Sequence, residues 1–246
     1  MESTEALKSL VHYAYSQTVR TLPEASSTEL DHFNRISSAF GYTGRALELI
    51  QGASMGLGCG NPVATANIRP GEVVVDLGWG RLFQKAVIVS KQVDTLSLPP
   101  DTVDYIVSNC ALNLVPGDEK PTTLREAYRV LKPGDRLAIS HIVEGKLMPK
   151  DIKADTTSYV GSVAGAISVT LYHQFLTEAG FRDVPILDSS ADLSVYRQLT
   201  TESSKSNCST CCSGEHARGG INPDLEYDIN EFVGSSVVYA LKPQSG

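Results

Sequence analysis

The chain has 246 residues, 41% of them hydrophobic, and its 21 Lys and Arg against 28 Asp and Glu leave a formal net charge of -7. An acidic balance without a Lys/Arg cluster argues against nucleic acid as a partner, because phosphate binding needs concentrated positive charge. No stretch approaches the ~20 apolar residues of a membrane span, and the acidic start Met1-Glu-Ser-Thr-Glu5 is unlike a signal peptide, so no membrane partner and a cytoplasmic location are expected.

From the amino end, Leu7, Leu10, Val11, Tyr13, Ala14 and Val19 recur at helical spacing over Thr4 to Arg20, with Ser3 or Thr4 available as a cap. A second helix is predicted from Ser27 or Thr28, closed by Gly41, before the chain turns helical again over residues 43–50. These segments form an amino-terminal lid, residues 1–55, over the sheet expected next.

A core is predicted over residues 56–190. Its short apolar runs Val73 to Leu77, Ala86 to Val89, Val103 to Val107 and Arg136 to Val143 read as strands. Glu72-Val-Val-Val-Asp76-Leu-Gly78-Trp-Gly80 is the pattern of a buried strand opening a cofactor loop, with Asp76 at its carboxyl end. Glu119 to Leu131 reads as a helix stopped by Lys132-Pro133-Gly134, which completes one parallel strand-helix-strand unit. A further helix runs from a Ser168 cap to Gly180. Phe181 to Leu187, Ser194 to Leu199, Glu226 to Ile229 and Ser235 to Leu241 are predicted strands, the last three in a carboxyl-terminal β extension of residues 191–246. Within it, residues 200–222 are rich in Ser, Thr, Gly and Cys and read as a loop.

Five cysteines, Cys59, Cys110, Cys208, Cys211 and Cys212, are an odd set for a disulfide framework and read as thiols. Cys208-Ser-Thr-Cys211-Cys212 has a spacing that suits a thiophilic ion, but solvated loop thiols carry the same pattern, so no metal site is assigned. His141 falls near the carboxyl end of a core strand, where a histidine can act as a general acid or base or can simply pack at a sheet edge. Asn109 and Asn113 flank that edge.

The order and wording of Phe40-Gly41-Tyr42, Met55-Gly-Leu-Gly-Cys59-Gly-Asn-Pro62, Asp76-Leu-Gly78-Trp-Gly80, Ser108-Asn109-Cys110-Ala-Leu-Asn113, Arg125-Glu-Ala-Tyr-Arg-Val-Leu-Lys-Pro-Gly134 and Tyr159-Val-Gly161-Ser-Val-Ala-Gly165 resemble the arsenite methyltransferases over nearly the whole chain. The resemblance implies an α/β fold, a class I methyltransferase-like (Rossmann-like) sheet with helices on both faces. It also implies S-adenosylmethionine as cofactor, bound through Asp76, Gly78, Gly80 and Asn109, and a small-molecule substrate. Cys59, Cys110, His141 and Asn109 become the candidate catalytic residues, since Cys59 and Cys110 match two of that family's arsenic-binding cysteines. The third such position is Ser162, whose hydroxyl is a poor ligand for a soft ion.

Spacing departs from the family between Gly80 and Ala86, where a parallel neighbour to the first strand would need a crossover of a dozen or more residues. By comparison with the family and the size of a strand-helix-strand unit, about 45 residues are missing, which shortens the fold by one helix-strand-helix unit. Leu82 replaces the third loop glycine, Trp79 a small residue, and Gln92 an adenine-side acid. Three readings follow: a small-molecule methyltransferase, with specialised metabolism as a candidate setting; a cofactor-independent isomerase or cyclase with His141 or Asp104 moving a proton; and a non-catalytic truncated relative or thiophilic-ion binder. Oligomeric state is not legible.

Overall fold

The computed structural model describes residues 4–21, 27–44, 58–62, 68–78, 98–196 and 226–244. Helices α1 (Thr4–Thr21) and α2 (Ser27–Ala39) begin the chain where the periodicity puts them. Gly41 follows α2 at φ +86°, the left-handed conformation that suits glycine after a helix. Beyond Gly44, the predicted third helical segment lies outside the described residues, as does Ala86 to Val89.

The sheet is built from β1 (Val74–Asp76), β2 (Val103–Asn109), β3 (Leu131–Glu144), β4 (Ile186–Asp188) and β5 (Val233–Leu241), in the order β1-β2-β3-β5-β4. β1 pairs with β2 in parallel, Val75 opposite Ile106, and β2 pairs with β3 in parallel, Ile106 opposite Leu137. β5 runs antiparallel between β3 and β4. The parallel partner of β1 is thus reached through residues 77–102, a connection long enough for a crossover.

Four short or regular helices complete the middle of the chain: α3 (Ala111–Leu114), α4 (Lys120–Val130), α5 (Lys150–Ala154) and α6 (Thr156–Val160). α7 (Val169–Ala179) follows. Leu124, Ala127 and Val130 of α4 join Tyr172 and Leu176 of α7 and Val75, Ile106, Leu137, Ile139 and Val238 of the sheet in one buried cluster, which places both helices on the same face. Each fully buried Leu or Ile there contributes about 1.5–3 kcal/mol against exposure, before chain entropy is set against it. The other face carries Val74, Tyr105, Val107 and Ala138, packed with Ile68 and Tyr239. α7 is bounded as its sequence indicates: the Ser168 hydroxyl accepts the Leu171 N–H at 3.3 Å, and Gly180 ends it at φ +111°.

Three predicted strands need correction. Phe181 to Leu187 is not one continuous strand: Arg182 forms an isolated antiparallel bridge to Leu241 and the strand proper is Ile186–Asp188, while between them Asp183 is at φ +48° and Pro185 has no N–H to donate. Ser194 to Leu199 begins in a 3-10 turn, Leu193–Tyr196, and Glu226 to Ile229 leads into another, Ile229–Glu231. The cause is shared: the carboxylate of Asp192 accepts the Ser194 N–H at 2.9 Å, and that of Asp228 accepts the Asn230 N–H at 3.0 Å. Such local bonds offer the backbone a turn in place of a ladder.

Candidate active site

The segment Gly58-Cys59-Gly60 lies against Asn109 at the carboxyl end of β2 and Ser140 of β3. Asp76 ends β1 and is 6% exposed, and burial pushes its carboxyl up to about 7. Gly78 follows, and a side chain there would press on Ala111 and Asp76. Gly80 lies outside the described residues, with Trp79, Leu82 and Gln92.

Asn109 ends β2, and its side-chain amide is fully engaged. Oδ1 accepts the Cys59 N–H at 2.9 Å, and Nδ2 donates to the Gly60 carbonyl at 2.7 Å. The Tyr42 phenol reaches the same side chain; burial raises its pKa, the hydrogen bond to Asn109 opposes this, and the Asp76 charge adds to it. Tyr42 stood in a quoted motif, yet nothing in the sequence marked its hydroxyl as part of the site.

Cys110 turns the chain out of β2 at φ +60° and donates its N–H to the Ser140 carbonyl at 2.8 Å. It is bonded through a disulfide to Cys59, with Cα atoms 6.0 Å apart and a sequence separation of 51. The reading of all five cysteines as thiols is therefore corrected for this pair. Parity and spacing could not show it, because the adjacency arises from a loop folding across two strand ends. Cys208, Cys211 and Cys212 fall outside the described residues, and no group of His, Cys, Asp and Glu that could hold a metal ion occurs among the described ones.

Both sulfurs are enclosed. Ile36 of α2, Phe40 just after it, Met148, Ile152, Val163, Leu193 and Tyr196 form one buried cluster with Cys59 and Cys110. Ser162 is also buried, at φ +65°, and its carbonyl accepts from Asn113 Nδ2 at 2.8 Å. The same Nδ2 donates to the Ile142 carbonyl at 2.7 Å, so Asn113 braces the backbone rather than facing a substrate. Burial lifts the Tyr15 phenol to about 12, with the Ser162 side chain opposing it.

His141 does not face the crevice. β3 continues three residues beyond it, to Glu144, and successive side chains alternate across the sheet. Ser140 faces Gly60, where any added Cβ would lie 2.6 Å from it; His141 points to α7 and meets the Tyr172 hydroxyl at 2.5 Å through Nε2. Complete burial, aided by the Lys120 charge, pushes its pKa down to about 3, so the ring is neutral at physiological pH. Asp104 is likewise excluded as a proton carrier at this edge. It lies near the amino end of β2, where it accepts from Lys132 at 2.5 Å and from the Val73 N–H at 2.8 Å. His173 is exposed on α7.

Lys120 is a buried residue that the sequence did not single out. Its Nζ donates to the carbonyls of Leu112, Asn113 and Val115 at 2.7, 3.2 and 2.6 Å, and burial lowers its pKa to about 7. It thereby satisfies the carboxyl end of α3, directly after Cys110. No local pattern reveals a lysine that turns inward.

Comparison with known proteins bears on the fold that carries these residues. The family described as a methyltransferase domain matches residues 83–180. An arsenite methyltransferase from Halobacterium salinarum is 35% identical over 172 residues, taking in 55% of this chain and 44% of that protein. The chain thus spans less than half the length of this relative. Among solved structures, the arsenic(III) S-adenosylmethionine methyltransferase from Chlamydomonas reinhardtii superposes with a TM-score of 0.50 at 19% identity, covering 86% of this chain and 74% of that one. The cyclase SpnF superposes with a TM-score of 0.54 at 15% identity, covering 72% of this chain and 77% of that one. These two likenesses show the fold.

Proposed function

We propose that the chain, which is similar to arsenite methyltransferases and has a class I methyltransferase-like fold, belongs to that family and is a methyltransferase acting on a small molecule with a soft, thiophilic centre, which Cys59 and Cys110 hold when reduced. One observation carries the reading: two cysteines 51 residues apart meet at the carboxyl edge of the sheet, beside Asp76 and Gly78. Thiolates suit a trivalent arsenic centre because both partners are soft and polarisable. Two sulfurs leave one of its three valences for oxygen or carbon, since Ser162 supplies only a hydroxyl. The proposal includes a cytoplasmic setting, where thiols are kept reduced, and a place in specialised metabolism.

S-adenosylmethionine, as cofactor, would supply a methyl group activated on a sulfonium. The described residues fit part of its site: Asp76 is buried at the end of β1, and Gly78 leaves the backbone open to close approach. Asn109 would orient the Cys59 loop against it. The shortened interval after Gly80 is part of the same reading.

Calorimetric titration of the reduced protein with S-adenosylmethionine, paired with a thermal shift, tests the cofactor, since binding to the native state raises apparent stability. Micromolar binding that weakens in Asp76→Asn supports the reading. Absence of binding to well-folded, reduced protein would sink it. The cofactor-independent alternative loses its named proton carriers, because His141 is buried against Tyr172 and Asp104 is tied to Lys132.

A further inference from the structure

Cys59 lies on neither a helix nor a strand, and Gly58 and Gly60 on either side are the residues with most backbone freedom to lose. Three side chains nevertheless hold three consecutive residues. The Tyr196 hydroxyl donates to the Gly58 carbonyl at 2.6 Å, the Ser235 hydroxyl to the Cys59 carbonyl at 2.5 Å, and Asn109 spans Cys59 N–H and Gly60 carbonyl. The glycines permit this closeness: a Cβ on Gly58 would sit 2.7 Å from Asn109 Nδ2, and one on Gly60 2.6 Å from the Ser140 hydroxyl. Tyr196 and Ser235 come from 138 and 176 residues away, so neither contact follows from chain connectivity. The Tyr196 ring also packs on Phe40, centroids 5.6 Å apart, which ties the carboxyl end of α2 to the same loop.

We propose that Tyr196 and Ser235 are positioning residues that pin the Gly58-Cys59-Gly60 segment so that Cys59 stays within bonding reach of Cys110. The proposal rests on the reading of these two cysteines as the ligand pair. A dithiol chelates in proportion to how closely its second sulfur is confined to the first, so a loosened loop weakens every two-sulfur product alike. Two such products can be measured. With glutathione disulfide, the pair gives up two hydrogens and closes, releasing two molecules of glutathione. With phenylarsine oxide, two As–S bonds form and the oxygen leaves as water with the two thiol hydrogens.

The experiment uses the full chain with Cys208, Cys211 and Cys212 replaced by Ser. The Cys59–Cys110 equilibrium is measured in glutathione buffers, and phenylarsine oxide affinity by competition with a small dithiol. Tyr196→Phe and Ser235→Ala should each lower both constants about three- to tenfold, the worth of one hydrogen bond. Tyr105→Phe, which removes a buried hydroxyl without a hydrogen-bond partner on the sheet face opposite α4 and α7, should leave them unchanged. Wild-type constants in both variants, with only the melting temperature lowered, would overturn the proposal. Should Tyr196→Phe not fold, Ser235→Ala decides alone. Failure of the wild-type chain to capture one phenylarsine oxide would instead defeat the ligand-pair reading, and the proposal with it.

Discussion

His141 follows Ser140 in β3, and that single step of the pleat sends the two side chains to opposite faces of the sheet. The imidazole is thereby taken out of the crevice and buried between Tyr172 and the field of Lys120. Its pKa is lowered from 6.5 to about 3, so the native state binds fewer protons than the unfolded chain at any pH between those values. The stability this group contributes is complete above pH 6.5 and is lost progressively as pH falls towards 3. Urea midpoints should therefore drop on acidification through this window, and His141→Leu should flatten the slope; parallel slopes for wild type and variant would refute the assignment. Sequence reasoning placed His141 near the right edge but could not see its face, because the strand extends to Glu144 rather than ending at the histidine. Asp76 was legible as the acid closing β1, while Lys120, Tyr196 and Ser235 were not, since their partners are backbone carbonyls brought near only by folding.

Helices α4 and α7 lie where period and caps put them, because both signals are local. Leu124, Ala127 and Tyr128 share one face of α4, and Gly180 ends α7 under the Tyr128 ring. A Cβ at Gly180 would come within 2.8 Å of that ring, at a φ of +111° that side chains rarely adopt. Gly180→Ala should cost about 1–3 kcal/mol from backbone strain. Ser168→Ala, which removes only the cap bond to Leu171, should cost about 1 kcal/mol. Chemical denaturation of both variants checks the ranking, and an equal or reversed order would count against the strained glycine. The 3-10 turns at Leu193–Tyr196 and Ile229–Glu231 show the limit of the same approach. Apolar residues there suggested strands, but aspartate side chains had the nearer claim on the backbone N–H groups.

Across the whole molecule, the disulfide joins residue 59, before β1, to residue 110, after β2, and so closes a span of 51 residues around the first half of the sheet. Constraint of the unfolded chain over such a span is worth about 4 kcal/mol in the chain-entropy account. Reductant should accordingly lower the urea midpoint of the wild-type chain, and Cys59→Ser with Cys110→Ser should abolish that response; a midpoint indifferent to reductant would show that the bond adds no stability. The sequence by itself determined the methyltransferase-type sheet, the β2-α4-β3 unit, both well-capped ends of α7 and the candidate pair Cys59 and Cys110, because periodicity, caps and motif order are written in neighbouring residues. The tertiary structure alone decided that Cys59 and Cys110 are bonded, that His141 turns away from them, and that Tyr196 and Ser235 hold the loop. Those facts depend on contacts between residues 31 to 176 positions apart, and no local pattern encodes a distance that only the closed sheet creates.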